Sequence, residues 1–479
     1  MYKLLLILKY LRRKIAPMFA AMAVTLCTAM VIIVISVMGG FLDQMRETAK
    51  KLTADVTIGS DLGGFPYYDE LVEEIRTVPQ VKTATPIVKA YGLAKFLGGV
   101  YKIEVQGVRP DQIDAVIGFF DTLYWTKQHL TDEIERMSPD LRSRFGPFLE
   151  RLAPRLDGRT LEAIDDWSDL PGIVMGIEVS PTNRRDSQGR YNVATSTLAK
   201  QVTLTVLPLT GQGGVLDPAV RTFVVVNEFK SGFYETDALR VYVPFEELQQ
   251  MLQMDEAEQA DPLTGEPTGQ MIPARASEVL VRGHEGVDLA ELRKAVDRKV
   301  LSVIKRHPDE RLRIGSLTWE EVHGTLLKAV QNEKGLITFL FAIISVVAIV
   351  MVATTFSLIV FAKTRDIGVL RALGASRWGI ANIFLGYGLA IGIVGSLAGM
   401  GLAYAIVTHL NEIQDLLDQW FGWRMWDPSI YFFDRIPDRV DPTEAAAIVV
   451  GSMVSSILGA LIPAFLASRL NPVEALRYE

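Results

Sequence analysis

Apolar and charged residues are interspersed along most of the chain, but four long stretches contain no Asp, Glu, Lys or Arg: residues 15–42, 335–362, 378–411 and 445–468. They run to 28, 28, 34 and 24 residues. A bilayer core of about 30 Å takes roughly 20 apolar residues in helical form, and helix is required because lipid offers no partner to a free peptide group. Each stretch is therefore predicted to cross a membrane, rather than to form a buried helix of a soluble core. A cleaved signal peptide does not suit the first stretch, whose apolar run far exceeds the usual length of about 7 to 15 residues and lacks a small-x-small cleavage site near its end. It reads as an uncleaved anchor.

Charge sets the orientation of the spans, since Lys and Arg in short flanks stay on the cytoplasmic side. Lys3, Lys9, Arg12, Arg13 and Lys14 precede the first span with no acid among them, and Lys363, Arg365, Arg371 and Arg377 stand against Asp366 alone between the second and third. Both segments are predicted inside, with the amphipathic residues 1–14 and the tail 469–479 cytoplasmic. Residues 412–444 carry eight acids against three bases and are predicted outside, with Trp420, Trp423 and Trp426 as interfacial anchors. Residues 43–334 then form one extracytoplasmic insertion between the first two spans. The fold class that follows is an α-helical membrane protein with four transmembrane helices and a large mixed α/β domain inserted between helices 1 and 2.

Within the insertion, period-2 alternation predicts strands at 54–58, 81–86, 90–96 and 101–106, and a helical period predicts a helix at 68–77. A second such unit follows late, with a strand at 277–281, a helix at 289–307 behind the cap Asp288, and a strand at 311–317. These two β-α-β units are read as halves of one subdomain, about 43–116 and 275–318. Between them lie a helical insertion at 117–170 and a β-rich subdomain at 171–274, with strands concentrated in 201–243. The polar segments 184–191 and 261–269 are read as solvated connectors.

Composition narrows the function by exclusion. The insertion holds 45 acidic and 35 basic residues, so nucleic-acid binding is disfavoured. Cys27 is the only cysteine and lies inside a span, which rules out a disulfide within the chain. The five histidines are scattered, and neither H-E-x-x-H nor G-x-S-x-G occurs. Acid pairs such as Asp165/Asp166, Glu246/Glu247 and Glu320/Glu321 read as solvated helix faces. No catalytic residue and no metal ligand is assigned. Without a G-x-x-x-x-G-K-[ST] loop the chain has no phosphate cradle of its own, so no cofactor is expected on it and any ATP must be bound by another subunit. The spans also lack the charged residues that mark ion pathways, which disfavours an ion-coupled transporter. Gly388, Gly392, Gly395 and Gly399 in the third span, with Gly451, Ser455 and Gly459 in the fourth, are read as helix-packing positions within a dimer.

Several runs together resemble the FtsX/MacB-type ABC permease superfamily. They are K-T-R-D-I-G-V-L-R-A-L-G-A-S at 363–376, the ending N-P-V-E-A-L-R-Y-E at 471–479, and the pattern of spans two to four. I-S-V-M-G-G-F at 35–41, W-E-E-V at 319–322 leading to Glu333 and Lys334, and F-K-S-G-F-Y-E at 229–235 followed by V-Y-V-P at 241–244 narrow the resemblance to lipoprotein-releasing (Lol-type) permeases. Departures are Gly39, where the family usually has Asn, and a longer insertion at 117–170. The resemblance implies a homo- or heterodimer of four-span permeases in the bacterial inner membrane, driven by a separate cytoplasmic ABC ATPase. By mechanotransmission it would squeeze a lipoprotein from the outer leaflet of that membrane towards a periplasmic carrier. The alternative within the same architecture is a permease that regulates a periplasmic hydrolase or exports another substrate.

The resemblance also assigns residues. Segment 363–377 is the coupling helix, short and basic with Leu370 and Leu373 three apart, and Asp366, Leu370, Arg371 and Gly374 are expected to engage the ATPase groove. Residues 207–222 correspond to the family's carrier-binding hook, with Pro208, Gly211, Pro218 and Arg221 as its candidates. Met38, Phe41, Ile337 and Phe341 are expected to line the cavity that admits the lipoprotein's acyl chains.

Overall fold

In the first strand of the extracytoplasmic domain, Val56 and Ile58 are wholly buried while Thr57 and Gly59 are not, the alternation of a strand with one covered face. A computed structural model describes residues 15–60, 63–136, 139–140, 142–143, 146–147, 161, 170–183, 191, 196–209, 214, 216–260, 267–308, 313–422, 436 and 439–471. Two compact units emerge, one from the described residues between 46 and 325, the other from the four spans and their short connections.

In the first unit, β1 (Val56–Ser60) is followed by the short β2 (Phe65–Pro66), the helix Tyr68–Arg76 and β3 (Val81–Phe96). Then come β4 (Gly99–Val108), β5 (Gly172–Gly176), β6 (Gln201–Val206), β7 (Ala219–Phe229) and β8 (Arg240–Pro244). The hairpin of β9 (Ala257–Ala260) and β10 (Pro267–Ile272) and the short β11 (Arg275–Ala276) lead to β12 (Glu278–Gly283), the helix Leu289–Arg306 and β13 (Ile314–Thr318).

Strands from the two ends of this unit interleave. The order β13-β1-β12-β3 places strands of the early and late β-α-β units alternately, all antiparallel, in the arrangement of a ferredoxin-like sheet. Leu71, Val72 and Ile75 of one helix and Leu292, Val296, Val300 and Val303 of the other join the same buried cluster as Val56, Ile58, Val279 and Val281. Arg306 bridges Glu70 and Glu74, and Lys299 also meets Glu74, tying the two helices together at their exposed sides.

β3 then leaves this sheet and enters another. Its second half pairs with β4 and with β6, and the circuit β3-β4-β8-β5-β7-β6 returns to β3, so six strands close into a barrel. The β3-β4 hairpin turns on Leu97 and Gly98, whose φ values of 49° and 78° suit a two-residue type I′ turn. Closure depends on Gly92: a methyl group there would lie 2.4 Å from the Thr205 carbonyl oxygen. Hence the separate strands predicted at 81–86 and 90–96 are one strand shared by two sheets. Residues 88–108, expected within the first half, supply two barrel strands.

Beyond the barrel, Glu228 is fully buried and accepts hydrogen bonds from Trp125 Nε1 (2.7 Å), Asn183 Nδ2 (3.0 Å) and the Thr197 backbone N–H (2.8 Å). One carboxylate thereby fastens three connecting segments to β7. Of the insertion predicted at 117–170, the longest described parts are the turn Phe119–Thr122 and the helix Lys127–Arg136. Most of 137–169 lies outside the described residues, as do 1–14, 184–190, 261–266, Trp423, Trp426 and 472–479.

The second unit contains helices Ile15–Leu52, Gly324–Ala362, Arg377–Thr408 and Pro442–Arg469, each long and apolar enough to span a bilayer. The first helix runs ten residues past the end of its charge-free stretch and the second starts eleven before it, at Gly324, because no Pro or Gly lies within 43–52 or 325–334 to interrupt helix formation. The third ends at Thr408, short of the predicted Asn411, and a separate helix, Leu410–Phe421, follows His409.

Five of the six glycines pack helices within one protomer, which for those five corrects the dimer expectation. A methyl group at Gly388 would come within 2.6 Å of Ala460 Cβ and one at Gly392 within 3.0 Å of Ser456 Cβ, both on the fourth span. At Gly395 and Gly399 it would meet Val24 Cβ (2.8 Å) and the Thr25 carbonyl oxygen (2.7 Å) on the first. Gly459 likewise faces Ile349 and Val352 of the second, whereas Gly451 meets nothing. The rows of small residues are consumed in bringing spans one, two and four against their neighbours.

Candidate functional site

Between spans two and three the backbone makes a tight bend built around one short helix, Thr364–Ala372. Lys363 precedes it and pairs with Asp366 at 2.5 Å on its exposed side. The helix stops because Gly374 takes φ 91°, a conformation open to glycine, and its N–H returns to the Arg371 carbonyl at 3.1 Å. Ser376 then caps the third span, accepting from the Gly379 N–H at 3.0 Å.

One face of this helix is committed to the bundle. Ile367 is buried in a cluster with Val360, Ile380 and Ala467, contributed by the ends of spans two, three and four. Arg371, four residues on and so on the same face, donates from Nη1 to the Ser468 carbonyl at 2.6 Å. Ser468 lies in the last turn of the fourth span, where carbonyls lack intrahelical donors and the helix dipole is negative, a natural seat for a guanidinium. The opposite face is open: Val369 is 44% exposed, Leu373 81%, and Trp378, at the start of the third span, 73%.

The four predicted coupling residues therefore do not share one face of the helix. Asp366 is exposed and engaged with Lys363; Leu370 is half-buried; Arg371 faces the fourth span; Gly374 shapes the turn. The exposed apolar positions available to a partner are Val369, Leu373 and Trp378. Helical spacing carried the signal, because 367 and 371 share one face and 369 and 373 another, while a pair three apart at 370 and 373 straddles the boundary.

The remaining candidates fall into two other places. Met38, Phe41 and Ile337 are half-buried, but Phe341 is covered within the membrane unit, and the exposed positions beside it are Leu336, Phe339 and Leu340. On the barrel, β6 ends at Val206 and β7 begins at Ala219. Arg221 is thus a strand residue, and its guanidinium pairs with Glu247. Pro208 is buried and its carbonyl accepts from the Leu216 N–H at 3.0 Å, closing the base of the loop; Pro218 is exposed, and Gly211 lies outside the described residues.

A recess of about 980 Å³ runs beside β1, β12 and β13. Lys89, Arg240 and Glu278 are among its lining residues, and both of these cations also pair with the adjoining Glu104, Arg240 at 3.1 Å and Lys89 at 3.8 Å. Burial raises the Glu104 carboxyl, but those two cations, with a hydrogen bond from Gln106 Nε2, outweigh it and hold the group below the usual carboxylate range.

Four spans, an α/β domain inserted after the first, and a short helix docked between the second and third describe a transport permease rather than an enzyme. Residues 18–299 match the MacB-like periplasmic core domain and residues 338–472 the FtsX-like permease C-terminal region. The chain belongs to this family of ABC transporter permeases, as a non-catalytic, multi-pass membrane subunit with an extracytoplasmic domain. Membership implies an ATPase partner.

Among curated relatives, the chain is 22% identical to the lipoprotein-releasing system transmembrane protein LolC of Neisseria meningitidis serogroup B, over 98% of each chain. It is 28% identical to LolC of Xylella fastidiosa over 34% of this chain, a match spanning 39% of that protein's length. The periplasmic region of MacB from Actinobacillus actinomycetemcomitans aligns over 59% of this chain and 97% of its own, at 11% identity and a TM-score of 0.29.

Proposed function

We propose that this chain is the permease subunit of an ATP-driven transporter that extracts lipoproteins from the outer leaflet of the bacterial inner membrane and passes them to a periplasmic carrier. The observation that carries this reading is the similarity to a lipoprotein-releasing LolC across 98% of both chains, which takes in spans and external domain together. The docked helix Thr364–Ala372 supports it mechanically. Two such protomers, identical or not, would each seat Val369, Leu373 and Trp378 in an ATPase groove, and Ile367 and Arg371 would carry the resulting displacement to the fourth span. Cargo does not cross the bilayer in this scheme, which suits spans without an ionisable pathway. Both termini would be cytoplasmic, with the loop between β6 and β7 as the carrier's docking element.

Depleting the chain in its host tests the reading. Lipoproteins destined for the outer membrane should accumulate in the inner-membrane fraction; an unchanged distribution, with the chain gone, would contradict it.

A further inference from the structure

The helix Leu410–Phe421 takes no part in the coupling scheme. It begins one residue after the third span ends, and its own end is set by Gly422, with φ 64°. At 100° per residue, Leu410, Ile413, Leu416, Leu417, Trp420 and Phe421 fall within one arc of about 140°. Asn411, Glu412, Gln414, Asp415, Asp418 and Gln419 occupy the remainder, and of these Gln414, beside the apolar arc, is buried. The start of the helix is fixed: Asn411 exchanges two side-chain hydrogen bonds with the backbone of Ile436, at 3.1 and 3.0 Å. Towards its other end the apolar arc is exposed among the described residues at Leu416 (54%), Trp420 (77%) and Phe421 (72%).

We infer that this helix lies in the outer-leaflet interface, its apolar arc seated at the boundary of headgroups and acyl chains and its acidic face turned to water. Continuity with the membrane argues for lipid as the occupant. The domain after the first span is extracytoplasmic, so the third span ends on that same side, and one residue of connection holds the helix at the bilayer surface. A terminal Trp-Phe pair is the composition favoured at that depth. Charge narrows the lipid contribution further. The polar face carries Glu412, Asp415 and Asp418 and no base, so attraction to anionic headgroups cannot hold it down, and binding rests on the apolar arc alone. The outer end of the third span is then anchored against vertical movement by a float in the leaflet plane.

Spin labels on the full chain in nanodiscs test the assignment. On a Cys27→Ser background, single cysteines would replace Leu416, Trp420 and Phe421 on one face and Glu412, Asp415 and Gln419 on the other. Accessibility to oxygen, which partitions into lipid, would be compared with accessibility to a water-soluble nickel chelate. The expected result is an inversion at helical period: oxygen dominates at 416, 420 and 421, and nickel at 412, 415 and 419. The pattern should be the same in phosphatidylethanolamine discs with or without phosphatidylglycerol. Nickel access at all six positions would overturn the inference, and so would shielding of the apolar positions from both reagents, the signature of a protein occupant. A pattern that appears only with phosphatidylglycerol would refute the charge argument.

Discussion

Replacing Arg371 with Ala removes the hydrogen bond from the coupling helix to the Ser468 carbonyl while leaving the exposed face of that helix intact. A hydrogen bond with one charged partner contributes about 1.5–3 kcal/mol, and a cation at a helix C-terminus about 0.3–1 kcal/mol. Arg371 is half-buried, so solvent screening favours the lower part of that range, and about 2 kcal/mol is a fair total. That corresponds to roughly 30-fold in the equilibrium for lifting the helix off the fourth span. Ile367 remains buried in its cluster, so undocking should be local rather than global. Hydrogen–deuterium exchange of the full chain in nanodiscs reads this directly. Amides of residues 367–375 should exchange roughly 30-fold faster in Arg371→Ala. Arg371→Lys, which keeps a donor but loses the planar fork, should fall between. Exchange identical to wild type would refute the claim that Arg371 ties the coupling helix to the fourth span.

Three other outcomes follow from the same geometry. Leu373→Asp should lower co-purification of the ATPase by tenfold or about that much, as expected for an exposed apolar anchor, without speeding exchange of the helix; undiminished association would mean that the partner uses another face. Gly399→Ala should cost about 1–3 kcal/mol by forcing spans one and three apart, whereas Gly451→Ala, with open space around it, should be silent in a thermal melt followed by size-exclusion chromatography. Burial pushes the Asp237 carboxyl up from 3.8 to about 7, despite hydrogen bonds from Ser231 N, Ser231 Oγ and Gly232 N. Across that interval the folded chain holds a proton that the unfolded chain has released, so stability falls as pH rises and levels off above about 7. Asp237→Asn should flatten this dependence in unfolding curves of the external domain within the full chain; a slope as steep as that of wild type would assign it to another group.

The spans were legible because lipid imposes a rule on composition that no local context overrides. Their ends were not, since the helix Ile15–Leu52 continues past Asp43 through Arg46 and Glu47, residue types with high helix propensity despite their charge. Strand periodicity located most of the sheet elements, but the barrel depends on an approach of β3 to β6 that Gly92 permits and only the fold reveals. The coupling helix shows the same division. Its existence and its glycine stop can be read in residues 363–376, whereas the orientation of Arg371 is decided by a carbonyl 97 residues away. Likewise, the small residues of the third span announce close packing without naming the helix they pack against. Only the neighbouring atoms at Gly388 and Gly399 distinguish contacts within a protomer from contacts between two.

In the proposed function, ATP-driven movement of this permease frees a lipid-anchored protein from the membrane. The most direct measurement reconstitutes the chain with its ATPase in liposomes containing a triacylated lipoprotein, adds soluble periplasmic extract, and follows the lipoprotein into the soluble fraction with and without ATP. The expected result is ATP-dependent release that fails when the extract is omitted. ATP hydrolysis with the lipoprotein still in the vesicles would contradict it and shift the assignment to a permease that works on a different periplasmic partner.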